Sequence, residues 1–204
     1  MQKILWLLDA GHGKNTPGKR SPKFQDGTQL MEYEFNRDVV DRIAHKCDCL
    51  NIAYHILVPE IVDISLSERV RRANKFHVPD GYTKALVSVH GNAAGDGVNW
   101  HSANGFEVFT TPGVTQSDRI ATEVFNQMKK QFPNWKYRMD MSDGDPDKEE
   151  NFYIIKNTVC PAILTENGFY TNEAEAKKMM TDDFRDMIAQ AHVEAFMLLG
   201  QRTT

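Results

Sequence analysis

Cysteine is scarce in this 204-residue chain: Cys47, Cys49 and Cys160 are the full set. An odd number at these spacings is not a disulfide framework. Cys47 and Cys49 stand two positions apart in a segment that reads as helix, so they point in different directions and make a poor metal pair. All three read as plain thiols. Long apolar runs are missing too. Nothing approaches the roughly 18 residues of a membrane span. The N-terminal run from Ile4 to Leu8 is shorter than the ~7–15 apolar residues of a signal peptide. The chain is therefore expected to carry no export signal and to be cytoplasmic as synthesised. Excess positive charge is also lacking, since 24 Lys and Arg face 28 Asp and Glu for a formal net charge of −4. Arg69-Val70-Arg71-Arg72 and Lys177-Lys178 are too short for the basic stripe of a nucleic-acid footprint and read as solvated helix faces. With no repeat, low-complexity tract or linker, residues 1–204 read as one domain with no appended module.

What is present is ordinary for a globular protein: 41% hydrophobic and 25% charged residues. Ile4 to Leu8 is apolar without alternation, the mark of a strand covered on both faces. It stops at Asp9-Ala10-Gly11-His12-Gly13, and a polar loop runs from Lys14 to Leu30. Phe35, Val39, Val40, Ile43 and Cys47 recur at helical spacing and predict a helix from Glu32 to Leu50. A strand over Ile52 to Val58 follows, then a helix over Ser65 to Phe76 opened by the capping box Ser65-Leu66-Ser67-Glu68. Ala85 to His90 reads as a third strand, Gly91 to Asn104 as a loop, Gly105 to Thr111 as a fourth strand and Gln116 to Phe132 as a helix. Lys136 to Asn151 reads as an exposed polar excursion. Phe152 to Ile155 and Ala162 to Thr165 read as two more short strands, and Asn172 to Leu199 supplies one or two closing helices. Such alternation implies an α/β fold: a single three-layer domain whose mostly parallel, twisted sheet of about six strands is flanked by helices.

Open parallel sheets bind ligands outside the carboxyl ends of their strands. His12 follows the first strand, His90 ends the third, and Glu166 follows Ala162 to Thr165. Glu32 opens the first helix at the same edge. Two imidazoles and one carboxylate are a ligand set for hydrolytic zinc with one position left open. Zinc lowers the pKa of bound water from ~15.7 to roughly 7. A further carboxylate must take the water proton and pass it to the leaving group, and Glu166, followed by Asn167-Gly168, is the candidate. Glu34 rivals Glu32 as a helix-start carboxylate; the spacing of Glu32 to Asn36 favours Glu32.

These motifs together resemble the N-acetylmuramoyl-L-alanine amidases of the amidase-3 type. The matching stretches, in order, are Leu8-Asp9-Ala10-Gly11-His12-Gly13; Glu32-Tyr33-Glu34-Phe35-Asn36; Ser67-Glu68-Arg69 with Ala73-Asn74; Ser88-Val89-His90-Gly91-Asn92-Ala93; Gly105-Phe106-Glu107-Val108-Phe109; and Pro161 to Phe169 with Asn172 soon after. The resemblance implies one zinc ion on His12, Glu32 and His90, with Glu166 catalytic. It implies cleavage of the amide between N-acetylmuramic acid and L-alanine, with peptidoglycan or muropeptide fragments as substrate. Asn92, Trp100, His101 and Asn167 are candidate substrate contacts. With no export signal read, an endolysin-like enzyme that reaches the cell wall after release is expected, without a separate wall-binding domain. One departure stands out: Val58-Pro59-Glu60 replaces the arginine that commonly follows the second strand in this family.

Blander readings stand beside these. His101 can be a plain loop residue, and His45, His55, His77 and His192 read as structural or solvent-facing. The acidic run from Asp140 to Glu150 lacks EF-hand spacing and reads as a solvated loop. Trp135 reads as packing, while Trp100, in a polar loop, is open to a sugar ring. Two other functions compete. A zinc carboxypeptidase would need a cation for a terminal carboxylate, for which Arg20, Lys23 and Arg138 are loose candidates. A catalytically silent wall-binding module would be expected to have lost a ligand or Glu166.

Overall fold

The chain runs β1 (Lys3–Ala10), α1 (Glu32–Leu50), β2 (Tyr54–Ile56), α2 (Leu66–Lys75), β3 (Tyr82–Asn92), β4 (Phe106–Thr110), α3 (Gln116–Gln131), β5 (Lys148–Glu149), α4 (Tyr153–Lys156), β6 (Ala162–Phe169), α5 (Glu173–Met179) and α6 (Asp182–Gln201) in a computed structural model that describes residues 3–95 and 97–201. The six strands form one sheet in the order β2-β1-β3-β6-β4-β5. Every neighbouring pair is parallel except β4 and β6, which are antiparallel.

The unbroken apolar character of β1 has a direct cause: successive side chains enter different cores. Trp6, Leu8 and Ala10 enter the larger core with Phe35, Val39 and Ile43 of α1, Ile120 and Val124 of α3, and Phe196 of α6. Trp6 stacks on Phe196 with centroids 3.9 Å apart. Leu5 and Leu7 turn the other way, onto Val70 and Ala73 of α2 and Ile154 and Ile155 of α4. Two helical layers thus sandwich the sheet. Among the described residues, no helix is long and apolar enough to cross a membrane. The three cysteines are free: Cys47 is buried and Cys49 exposed, as their spacing demands.

Three expectations need correction. The strand expected over Ile52 to Val58 is only Tyr54–Ile56. Phe152 to Ile155 is not a strand; it opens the short helix α4, where the adjacent Ile154 and Ile155 are both buried and Thr158 Oγ1 donates to the Ile154 carbonyl. The sixth strand is instead Lys148–Glu149, inside the expected polar excursion, paired in parallel with Phe109 and Thr110. A charged edge strand shows no apolar pattern, which suits an edge and hides it from periodicity. Finally, β6 runs on through Phe169, so Glu166 sits within the strand rather than after it.

Candidate metal centre

The Gly-His-Gly turn after β1 exists because two close approaches leave no room for a Cβ. At Gly11 that atom would overlap the His90 imidazole; at Gly13 it would overlap the backbone of Asp63. His12 itself adopts φ +61°, uncommon for a residue with a side chain. Its carbonyl is held from two sides, by Arg37 Nη1 at 2.8 Å and Arg69 Nη2 at 3.1 Å. Glu32 is the first residue of α1 and only 1% exposed. One turn on, buried Asn36 donates to the Gly11 carbonyl at 3.0 Å and lies 3.4 Å from Glu32 Oε1. The Glu-x-x-x-Asn spacing thereby joins the helix start to the turn that carries His12. Glu34 is exposed and takes the Tyr33 hydroxyl at 2.8 Å, outside the centre.

One ligand atom from each of His12, Glu32 and His90 lies within 4.8 Å of the others. Glu32 Oε1 is 3.4 Å from His12 Nε2 and 3.2 Å from His90 Nδ1. The proton inventory shows what this means. Ser88 Oγ donates its single hydrogen to Asp9 Oδ2 at 2.6 Å. The same oxygen lies 3.1 Å from His90 Nε2 and must accept from it. In a neutral His90, Nδ1 then carries the lone pair, aimed at a carboxylate that can only accept. Lone pairs facing one another at these distances call for a positive charge between them. Glu32 Oε2 is also sealed from water with no hydrogen-bond partner. The donor set therefore fits a zinc ion by chemistry and by an orphaned oxygen.

The electrostatics of the unliganded groups agree at His12 and Glu32. Burial holds the His12 imidazole down to about 4, against the pull of Glu32. A neutral imidazole is the form that ligates. Burial alone would raise the Glu32 carboxyl, but hydrogen bonding and charge from His90, with His12 and Lys19, hold it below its ordinary value. Burial opposes protonation of His90, yet Glu32, Glu166 and Asp9 together raise it. Glu166 pairs in register with His90 on one side and Glu107 on the other. Burial pushes its carboxyl up to about 8, and its Oε2 has no partner.

The other expected contacts fare differently. Asn167 is fully buried and donates to the carbonyls of His90 and Thr165, a bracing position. Asn92 donates to Glu107 Oε2 at 2.6 Å. The His101 ring lies against Gly95, and its Nε2 is buried without a partner. Trp100 stands 5.0 Å from the Phe24 ring. Trp135 packs on Phe106, Phe132 and Phe184 and donates to Glu175. His192 is buried on the Ile188 carbonyl, whereas His45, His55 and His77 are exposed.

Sequence reasoning assigned no role to Asp9, Ser88, Arg69 or Tyr170. Arg69 Nη1 holds Asp9 Oδ1 at 2.7 Å, which completes a buried chain Arg69–Asp9–Ser88–His90. Such outer partners fix the tautomer and orientation of a ligating histidine. The signal available was a polar residue inside each of two apolar strands. The Tyr170 phenol is raised by burial and by Glu32 and Glu166 beside it; an aromatic next to a strand carries no such signal.

Comparison with known proteins follows the same lines. A family model described as N-acetylmuramoyl-L-alanine amidase matches residues 7–197. The endolysin of Bacillus phage SPP1 is 30% identical over 200 residues, covering 95% of this chain and 65% of that protein. The N-acetylmuramoyl-L-alanine amidase CwlM of Bacillus licheniformis is 25% identical over 192 residues, covering 94% of this chain and 66% of that one. The chain thus spans about two thirds of the length of these curated relatives. In fold, it matches the crystal structure of an N-acetylmuramoyl-L-alanine amidase from Clostridium difficile 630 with a TM-score of 0.82, 23% identity and full coverage of both chains.

Proposed function

Since this chain belongs to the N-acetylmuramoyl-L-alanine amidase family, we propose that it hydrolyses the amide between N-acetylmuramic acid and L-alanine in peptidoglycan, with one zinc ion on His12, Glu32 and His90 and with Glu166 as proton carrier. The observation that carries this reading is the convergence of three lone-pair donors on one point, with the half-buried Glu166 carboxyl in register with His90 on the next strand.

Bound zinc would supply a Lewis acid that polarises the carbonyl and acidifies water. The chain's own residues do the rest. Ser88, held by Asp9 and Arg69, keeps the Nε2 proton of His90 in place and so keeps Nδ1 free to ligate. Asn36 and the start of α1 hold Glu32 against rotation. Glu166, as carboxylate, takes a proton from the attacking water while the C–O bond forms. It returns that proton to the alanine nitrogen as the C–N bond breaks, leaving the lactyl carboxyl, whose remaining proton passes to the freed amine or to solvent. A carboxyl raised by burial is suited to both halves of this exchange. The cell wall is the proposed site of action.

The test is digestion of purified walls by zinc-loaded protein, read by mass spectrometry. New alanine amino termini are expected. A chelator is expected to abolish their appearance and zinc to restore it. Release of a C-terminal amino acid would instead identify a carboxypeptidase, and wall binding without any cleavage a silent module.

A further inference from the structure

Two long loops at the metal-bearing end of the sheet flank the candidate ligands and then meet. One runs from His12 to Glu32; the other leaves β3 just beyond His90 and returns at Phe106. They approach where Gly97 faces the Gly18 carbonyl and where Phe24 meets Trp100. Between them lies a groove of about 640 Å³ whose lining includes Gly18, Arg20, Lys23, Gly97 and Trp100. No carboxylate is among the described lining residues.

Its two cations are unspent. Arg20 and Lys23 are exposed, and neither side chain has a hydrogen bond or ion pair among the described residues. Every other described arginine has a partner: Arg37 on carbonyls, Arg42 and Arg185 on Asp38, Arg69 on Asp9, Arg71 and Arg72 on Glu68, Arg138 on Glu107, and Arg119 engaged as well. The groove also adjoins the metal centre. Residues 19–21 run antiparallel to 30–32, with Arg20 bridged to Met31 and the Glu32 amide donating to the Lys19 carbonyl. In an extended segment, alternate side chains face opposite ways. Lys19 accordingly reaches to 3.9 Å from Glu32 Oε2, and Arg20 turns out to the groove.

We infer that this groove is a subsite for a free carboxylate on the peptide stem, bound by Arg20 and Lys23 with the Trp100 face as its wall. The inference rests on the amidase reading for the identity of the stem. Guanidinium and ammonium are donors only, so a carboxylate satisfies them and a carboxamide, which presents its own N–H groups, does not.

The experiment uses two soluble muropeptides that differ only in one stem carboxylate, free or amidated. Wild type is expected to cleave the free-acid substrate with a KM about 10-fold lower, the size expected of two partly screened charge-assisted contacts. Arg20→Ala/Lys23→Ala is expected to erase that preference by raising KM for the free acid alone, with kcat and the amidated substrate unchanged. Lys129→Glu/Lys156→Glu, which alters net charge on other surfaces, is expected to retain the preference. Equal KM values for the two substrates in wild type, or equal losses on both in the Arg20/Lys23 variant, would overturn the subsite. Should wild type cleave neither substrate, the amidase reading falls by itself. Trp100 fluorescence titrated with the two muropeptides then decides the groove: tighter binding of the free acid, lost in the variant, supports it, and indifference to the carboxylate overturns it.

Discussion

Two of the places where this molecule takes carboxylates out of water have opposite outcomes. Around the candidate metal centre, Glu32 is buried and Glu166 half-buried beside His12 and His90, and Glu32 is held below its ordinary value although burial disfavours its charge. At the β5 edge, Asp147 is 2% exposed with Asp145 beside it, and Thr110 Oγ1 donates to its Oδ2 at 2.5 Å. Among the described residues neither acid has an ion pair. Burial, the Asp145 carboxyl and the charge of Asp118 push Asp147 up to about 7. The difference teaches that acid count does not make a metal site. What counts is a neutral nitrogen donor whose other ring nitrogen is already committed, and only the first cluster has one.

The comparison can be broken most forcefully at Glu166. Glu166→Gln is expected to lower turnover by roughly 10²–10⁴ while leaving zinc content by mass spectrometry unchanged. Full activity in that variant would sink the assigned role. Next is the support behind His90. Arg69→Met leaves Asp9 as an unpaired buried charge and is expected to destabilise the fold by about 3–5 kcal/mol in urea unfolding. A loss below ~1 kcal/mol would show that the pair is dispensable.

The β5 edge offers a smaller, pH-dependent effect. Asp147 in the fold keeps its proton up to about 7, whereas its ordinary value is 3.8. As pH rises through that window the unfolded chain releases a proton that the folded chain keeps, so stability falls with rising pH and then levels off above it. Asp147→Asn removes this penalty. It is expected to raise stability by about 1 kcal/mol at pH 8 and to make no gain at pH 3.5. An equal gain at both pH values would show that the proton is not involved. The smallest effect is expected at Glu34. Glu34→Gln should leave activity unchanged and stability within about 0.5 kcal/mol, while Glu32→Gln weakens zinc binding measured by competition with a chromophoric chelator.

Much of this site was legible in the sequence because its chemistry sits at positions that sheet topology makes conspicuous. His12 follows one apolar strand and His90 lies near the carboxyl end of another, and the spacing of Glu32 to Asn36 singles out one of two neighbouring acids; the exposure of Glu34 agrees with that choice. What stayed hidden followed other physics. Lys148 and Glu149 form a strand through edge pairing alone, with no apolar pattern to announce it. Phe152 to Ile155 has strand-like residues but coils, because a short apolar run does not distinguish the two. Asp9 and Ser88 stood inside recognised motifs, yet their shared task needs β1 and β3 in register, with Asp9 opposite Ser88. Arg20 and Lys23 were only loose candidates for a carboxylate in the sequence, because no motif shows that the facing loop lines a groove beside them.

The free cysteines leave this chain without a covalent cross-link, and the placement of the three ligands bears on that. They come from a turn, a helix start and a strand, with Glu32 and His90 58 residues apart in sequence. A single ion on all three would tie the first helix to the middle of the sheet and shorten the loops open to the unfolded chain. Zinc would then act as the tether that disulfides provide elsewhere. Its loss would register first as loosened anchoring of the α1 start, on the very segment that separates the candidate metal centre from the cationic groove.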